Sequence, residues 1–167
     1  MEKMGKIDTS GWGMFKIGEL FEQERGKEKS PKQNMDGECP LIQEINTNNG
    51  VDRNVEPTKI FKGNAITISI NYAQNVFYQK NDFCASVNIA IIRNKHLDEY
   101  SGRFICSILH KLHQRFTYTD KISKEIINNE EIPLPIDNDG NPNWNYMNEY
   151  MRDIEARTCD KISRLCD

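Results

Sequence analysis

Two polar loops in the centre of the chain carry the side chains best suited to recognise a ligand by hydrogen bonds. The first spans residues 46–50, NTNNG, and the second spans residues 71–75, NYAQN. Asn, Gln, Thr and Tyr present donors and acceptors in planar or short geometries, so these loops could read the edges of nucleic-acid bases. The same residue types are also ordinary turn formers, and that alternative stays open.

The basic residues are unevenly distributed, although the chain as a whole is acidic. Its formal net charge of −3 argues against an unselective nucleic-acid binder, because such proteins are usually basic. Between residues 102 and 124, however, five Lys and Arg residues stand against one acid, Asp120. Such a stretch could bind phosphate groups, or it could be the solvated face of a helix.

Spacings typical of enzymes are missing from the sequence. It contains no Gly-x-Ser-x-Gly, no His-Glu-x-x-His and no dinucleotide-binding glycine pattern after a strand. His110 and His113 are three residues apart, but the sequence offers no third ligand nearby and their basic neighbours disfavour a metal ion. We therefore expect no catalysis and no metal, while an enzyme with a spatially assembled site remains an alternative.

The composition indicates one domain, or one domain with an appendage, that stays in the cytoplasm. The 167 residues contain no apolar run near the roughly 18 that a membrane helix needs. The first 15 residues have no apolar signal core. The five cysteines are scattered and odd in number, which favours reduced thiols.

The elements that must position the two loops are short strands. Residues 65–70 alternate, with three isoleucines on one face and Thr67 and Ser69 on the other. Further strands are expected at 12–17, 76–78 and 86–92, and an extended Pro-containing segment at 131–136. Residues 22–32 are polar and contain Gly and Pro, so we predict a surface loop there.

Helical spacing appears on both sides of the basic stretch. An apolar stripe predicts a core helix over residues 97–116, followed by a short helix at 122–128. Asn143 is a plausible N-cap for a last helix of about 23 residues, or about 35 Å. The second half of that helix is too polar to be buried, so it should project or meet a partner helix. The residues expected to face that partner are Met151, Ile154, Thr158, Ile162 and Leu165.

The order of short motifs over residues 12–155 resembles one target recognition domain of the DNA-specificity (S) subunit of type I restriction–modification systems, and of the related type IIB and IIG enzymes. The pieces that carry the resemblance are WGMFKIGELF with RGK, GECPLI, NNGV, GNAIT, VFYQ, FCAS, IPLP and the closing Gly140-x-Pro142-x-Trp144 before Met151. This chain departs from the pattern in having one such domain and one helix instead of two of each. This chain also differs at Thr119-Asp120, where many members of the family have a glycine and a basic residue.

The resemblance implies a fold class of α/β (α+β): a globular domain with a twisted mixed β-sheet and flanking helices, plus one long projecting C-terminal helix. The expected organisation is a flexible N-terminus at 1–11, a recognition domain at 12–142 and a partner helix at 143–167. It further implies a non-catalytic subunit that reads one half of a split target in double-stranded DNA. Its partners would be a modification (methyltransferase) subunit, which binds S-adenosylmethionine and methylates adenine, and a restriction subunit. As a half-subunit or a fragment, the chain could also pair with a copy of itself.

Within that resemblance the polar and basic residues take separate expected roles. The base-reading candidates are Gln43, Asn46, Thr47, Asn48, Asn71, Tyr72 and Gln74. The phosphate-binding candidates are Arg25, Lys27, Lys29, Lys32, Lys121 and Lys124. The main rival is a protein-interaction module that uses the C-terminal helix and never touches DNA.

Overall fold

Nine strands and four helices are arranged within the part of the chain that the structure, a computed structural model, describes: residues 7–30, 32, 34–71, 75–113 and 124–166. The strands are β1 Trp12–Lys16, β2 Glu22–Arg25, β3 Asp36–Ile42, β4 Val51–Val55, β5 Ala65–Ser69, β6 Val76–Gln79, β7 Cys84–Ala85, β8 Ile89–Arg93 and β9 Glu131–Pro135. The helices are α1 Ile17–Leu20, α2 Glu99–His113, α3 Lys124–Asn129 and α4 Trp144–Cys166, and a 3-10 turn spans Asn48–Gly50.

The central sheet has the strand order β2-β8-β5-β6, and every pairing in it is antiparallel. All five residues of β5 are buried, because both faces of the sheet are covered. Ile66 and Ile68 join the core beneath α2, with Phe104 and Leu109. The opposite face packs against a second cluster that includes Ile42 and the stacked rings of Phe61 and Phe83. The predicted alternation of β5 is therefore present, but its polar face is covered by protein.

A three-stranded sheet, β4-β3-β7, lies beside the central one. Its β3–β4 pair is antiparallel, whereas β3 and β7 run parallel through Leu41 with Cys84 and Ile42 with Ala85. β1 and β9 form a separate antiparallel pair that contributes Ile132 and Leu134 to the main core. The predicted α/β class with a long C-terminal helix is confirmed, with the strands divided among three sheets.

Two local predictions were wrong. Residues 22–25 form an edge strand on β8 instead of a surface loop, because a polar run can pair through its backbone at a sheet edge. The strand expected at 86–92 begins only at Ile89, because residues 86–88 form a break between β7 and β8, which belong to different sheets. Asn88, a poor strand former, lies in this break.

α4 begins with the predicted cap, since the Asn143 side chain accepts a hydrogen bond of 2.9 Å from the backbone N–H of Tyr146. Its first half packs on α2 and buries Met147 in the core. Residues 155–165 are exposed, as their polar composition predicts. No helix in the described ranges is both long and apolar enough to cross a lipid bilayer.

Candidate nucleic-acid interface

The side chain of Glu44, in the segment that leads from β3 to the first polar loop, contacts Asn71 at the start of the second polar loop. Its carboxylate accepts a hydrogen bond from the side-chain amide of Asn71 and another, of 2.9 Å, from the amide of Asn88. Asn71 follows β5, Asn88 precedes β8, and Glu44 follows β3. All three side chains are half-buried. The ends of two different sheets are thereby held together by polar groups.

The turn at 85–88 also connects this cluster to the segment after β2 that carries Arg25, Lys27, Lys29 and Lys32, which we call the basic segment (residues 25–32). The backbone N–H of Ser86 donates to the carbonyl of Ile42 (3.0 Å), and that of Ile70 donates to Asn88 (2.9 Å). On the other side of the turn, the N–H of Lys27 donates to the carbonyl of Ala85 (2.9 Å). Segments 25–28, 42–44, 70–71 and 85–88 are therefore joined by hydrogen bonds, and we call their exposed and half-buried side chains the junction surface.

Gly26 permits this close approach between the basic segment and the turn. A Cβ atom at this position would lie 1.9 Å from the carbonyl oxygen of Ser86 and 2.5 Å from that of Ala85. No side chain fits at such distances, so glycine is the residue that lets the two backbones pair. The tight contact fixes the backbone positions of the neighbouring cations, Arg25 and Lys27.

Cations line the outer side of the segment that runs from β2. Arg25, Lys27, Lys29 and Lys32 are all exposed. The Arg25 guanidinium donates through Nε to the backbone carbonyl of Val87, which anchors it to the turn. Four exposed cations within eight residues are suited to contact the phosphates of a nucleic-acid backbone.

Glu28 anchors the basic segment from the inside. Its side chain is 1% exposed and accepts hydrogen bonds from the side chains of Asn34 and Thr58 (both 2.8 Å) and the backbone N–H of Thr58 (2.7 Å). A longer bond comes from the N–H of Lys59 (3.3 Å). Burial raises the pKa of this carboxyl, but the four hydrogen bonds lower it by more, so the pKa lies below its usual value.

Other cations near the segment are already engaged with an acid. Glu24 on β2 contacts Lys59 at 2.8 Å and Arg93 at 2.9 Å. The hydrogen bond from Lys59 is the main reason that the pKa of Glu24 is lowered. Lys59 and Arg93 are therefore less suited to hold a phosphate than the exposed cations of the basic segment.

The remaining base-reading candidates occupy the loop between β3 and β4. Asn46 and Thr47 are exposed, whereas the Gln43 amide donates to Asp52 at 2.5 Å. The Asn48 amide caps the carbonyl of Val51 at 2.9 Å, in a backbone conformation with a φ of 48°. Asn46 and Thr47 thus present polar groups outward, while Gln43 and Asn48 also stabilise the loop.

Some predicted residues cannot be placed on the junction surface. Tyr72, Gln74 and Lys121 lie outside the described residues. Lys124 is the first residue of α3, which packs against α1.

Three functional candidates were missed from the sequence: Glu28, Glu44 and Asn88. Glu28 stands between Lys27 and Lys29, so strand-like alternation could have placed it on the inner side. Asn88 interrupts an apolar run and could have indicated a break. The partners of Glu44 are 27 and 44 residues away, and no local pattern shows such a contact.

Within the described ranges, no group of three or more His, Cys, Asp or Glu residues could hold a metal ion. The imidazole of His113 instead contacts the buried carboxylate of Glu130 at 2.7 Å. This contact joins the end of α2 to the segment before β9.

A cleft of about 480 Å³ lies between β6 and the start of α2. The charged groups at its rim pair with one another: Lys80 with Glu99 at 2.7 Å, and Arg103 with Glu99 at 2.5 Å. This cleft lacks the excess of positive charge that distinguishes the basic segment.

The residues predicted to face a partner helix become more exposed along α4. Met151 and Ile154 are half-buried, and Thr158 donates its hydroxyl to the Ile154 carbonyl at 2.7 Å. Ile162 is 56% exposed and Leu165 is 86% exposed. The far end of α4 therefore presents apolar side chains to solvent.

Comparison with known proteins gives a consistent result. Residues 9–164 match the family model described as the type I restriction modification DNA specificity domain. The chain is 24% identical, over 91% of its length and 46% of the relative's, to the BcgI specificity subunit of a type II restriction enzyme from Heyndrickxia coagulans.

Two solved structures are similar in fold. The HsdS subunit from Thermoanaerobacter tengcongensis superimposes with a TM-score of 0.63 at 18% identity, over 95% of this chain and 41% of that one. A chain from a structure on complex assembly and conformational transition of the type I R-M system superimposes with a TM-score of 0.65 at 19% sequence identity. That superposition covers 95% of this chain and 42% of the other. The present chain thus spans less than half the length of these relatives.

Proposed function

We propose, from the premise that this chain belongs to the type I restriction modification DNA specificity family, that it recognises a sequence in double-stranded DNA. The observation that carries the proposal is the junction surface. There an exposed basic segment and two amide-bearing loops are held together by the turn at 85–88. Sequence-specific DNA binding needs cations for the backbone and planar polar groups for the bases, and this surface provides both.

The basic segment and the polar loops beside the junction surface would contribute differently to binding. Lys27, Lys29 and Lys32 would contact phosphates, which fixes the register on DNA without selecting a sequence. The loops that contain Asn46, Thr47 and Asn71 would contact base edges in the major groove. Because the total charge of the chain is −3, the chain as a whole does not attract DNA. Phosphate binding would therefore depend on the local cationic segment.

We also propose that the chain reads one half of a bipartite target and directs a methyltransferase and endonuclease partner. This proposal is supported by its family and by its span, which is less than half the length of these relatives. The exposed apolar end of α4 would contact the modification subunit or a second copy of this chain. α4 is about 35 Å long, close to one turn of DNA, so paired copies would place two half-sites about one turn apart or more.

Chemistry would reside in the partner subunits. The prediction that this chain is not an enzyme agrees with its place among specificity subunits. In this proposal S-adenosylmethionine binds to the modification subunit, and the present chain contributes target choice.

A protein-interaction module that acts only through α4 is the second candidate. The exposure of Ile162 and Leu165 favours it. The two candidates predict different behaviour toward DNA, because α4 beyond residue 155 carries both acids and bases, whereas the basic segment would make binding depend on salt.

The test is fluorescence anisotropy with a random-sequence duplex over a range of salt concentrations. The wild-type chain should bind with an affinity that falls steeply with salt. A Lys27→Ala, Lys29→Ala double variant should lower the slope of log K against log salt by about 2, since each phosphate contact contributes about 0.9. Lys95→Ala, Lys161→Ala is a control that removes two exposed lysines elsewhere. An unchanged slope would remove the basic segment from the interface, and no binding at low salt would favour the α4 module.

A further inference from the structure

We propose that Glu44 is a positioning residue that sets the donor and acceptor pattern which Asn71 and Asn88 present to a DNA base. The inference rests on the proposed function and adds two residues, Glu44 and Asn88, to the specificity-determining set. It is carried by the arrangement in which one carboxylate holds two carboxamides from different loops.

The chemistry of the three groups fixes their orientation. An ionised carboxylate only accepts hydrogen bonds, so each Asn must turn its NH2 group toward Glu44. The carboxamide oxygens then point away from the carboxylate, and each amide keeps one further N–H. An isolated Asn amide can rotate by 180° and exchange donor for acceptor at little cost. Glu44 removes that freedom at both positions.

A carboxamide that presents one acceptor and one donor is complementary to the major-groove edge of adenine. Adenine offers N7 as an acceptor and its N6 amino group as a donor, and Asn is the residue type that pairs with both. If an amide rotated, its donor would face the adenine amino group and its acceptor would face N7, and both contacts would be repulsive. A locked amide therefore discriminates between bases, whereas a freely rotating amide does so less.

The location of the cluster supports a role in recognition. The backbone of Asn88 belongs to the turn at 85–88, whose Val87 carbonyl holds Arg25 and whose Ala85 carbonyl holds the N–H of Lys27. Cations bound to phosphates would thus be placed in a fixed register relative to the two amides. A cluster that served only to join loops would not require this continuity with the basic segment.

Two substitutions at Glu44 should act differently. Glu44→Ala releases both amides, so it should relax preference at the positions they read. Glu44→Gln keeps one acceptor oxygen but introduces an NH2 group, which one Asn can satisfy only by turning its oxygen inward. That variant should change the preferred base at one position and leave the other intact. Each well-formed bidentate contact corresponds to roughly 5- to 140-fold discrimination.

The experiment is selection of bound duplexes from a random-sequence library, followed by sequencing, with the wild-type chain and its variants. We expect the wild type to enrich a motif that contains adenine. Glu44→Ala, Asn71→Ala and Asn88→Ala should each lose preference at one or two shared positions and keep the rest. Glu38→Ala, on the exposed start of β3, is the control and should leave the motif unchanged.

The outcomes separate the inference from the proposed function. A wild-type motif that Glu44→Ala and Glu44→Gln leave unaltered would overturn the inference and retain DNA recognition. Uniform loss of enrichment at every position, with a lower melting temperature, would mean that Glu44 only stabilises the fold. If the wild type enriched no motif while binding the random duplex, both the inference and sequence recognition would be wrong.

Discussion

Replacement of Glu28 tests whether a buried carboxylate holds the basic segment in place. Four donors converge on this side chain, and two of them are backbone N–H groups of Thr58 and Lys59. A hydrogen bond to a charged group contributes about 1.5–3 kcal/mol, and the four are not additive because they share one carboxylate. We expect Glu28→Ala, which leaves all four donors without this acceptor, to lower the free energy of unfolding by about 3–4 kcal/mol.

Glu28→Gln should be milder, because it keeps the shape of the side chain and one acceptor oxygen. The expected loss is about 1–2 kcal/mol at neutral pH, measured by urea denaturation. Glu56→Gln is the matched control, since that carboxylate is exposed and lies near the same loop. Its effect should be within about 0.5 kcal/mol.

The pH dependence makes this prediction more specific. The pKa of Glu28 is lowered in the folded protein from an ordinary value of 4.5. The charged anchor therefore contributes its full stability above pH 4.5 and loses it as the pH falls through the lower, folded pKa. The stability difference between wild type and Glu28→Gln should shrink across that interval. A Glu28→Gln protein as stable as the wild type at pH 7, or a difference that is constant with pH, would refute the anchoring role.

The close approach at Gly26, the exposed end of α4 and the cysteine thiols can each be tested by one experiment. Gly26→Ala should unfold the chain or lower its melting temperature by more than 10 °C, because a Cβ would lie 1.9 Å from the Ser86 carbonyl oxygen. A variant that melts at the wild-type temperature would show that the backbone can shift. Ile162→Glu with Leu165→Glu should leave melting unchanged but abolish association with a second copy or a modification subunit, as measured by light scattering; unaffected association would place the contact elsewhere. At pH 8 the exposed Cys159 should react with a thiol reagent well before Cys84 and Cys106, because burial raises the pKa values of those two thiols. Equal reaction rates at the three cysteines would contradict the described packing.

The fold class followed from the resemblance to a known family, whereas several elements could be predicted because their signals are local. The alternation of residues 65–70 gave β5, the two prolines at 133 and 135 gave an extended segment, and Asn143 gave the start of α4. These features depend on side-chain periodicity or on backbone restrictions within a few residues. They can therefore be read without knowledge of what packs against them.

The pairing of distant segments could not be predicted in the same way. The burial of Glu28 depends on Thr58 and Lys59, 30 and 31 residues further along the chain. The division of residues 84–93 into two strands depends on one half pairing with β3 and the other with β5. Both are tertiary choices that override local propensity. The polar loops were found from composition, but the contact that unites them was visible only in the structure.

We expect duplex DNA to contact the junction surface, which is formed by segments 25–28, 42–44, 70–71 and 85–88. Hydrogen–deuterium exchange of the wild-type chain, with and without a saturating duplex, tests it most directly. Slowed exchange on DNA binding should be concentrated in residues 25–32, 42–48, 70–71 and 85–88, while the second half of α4 should be unaffected. Protection confined to α4 or to the cleft between β6 and α2, with none in these segments, would contradict it.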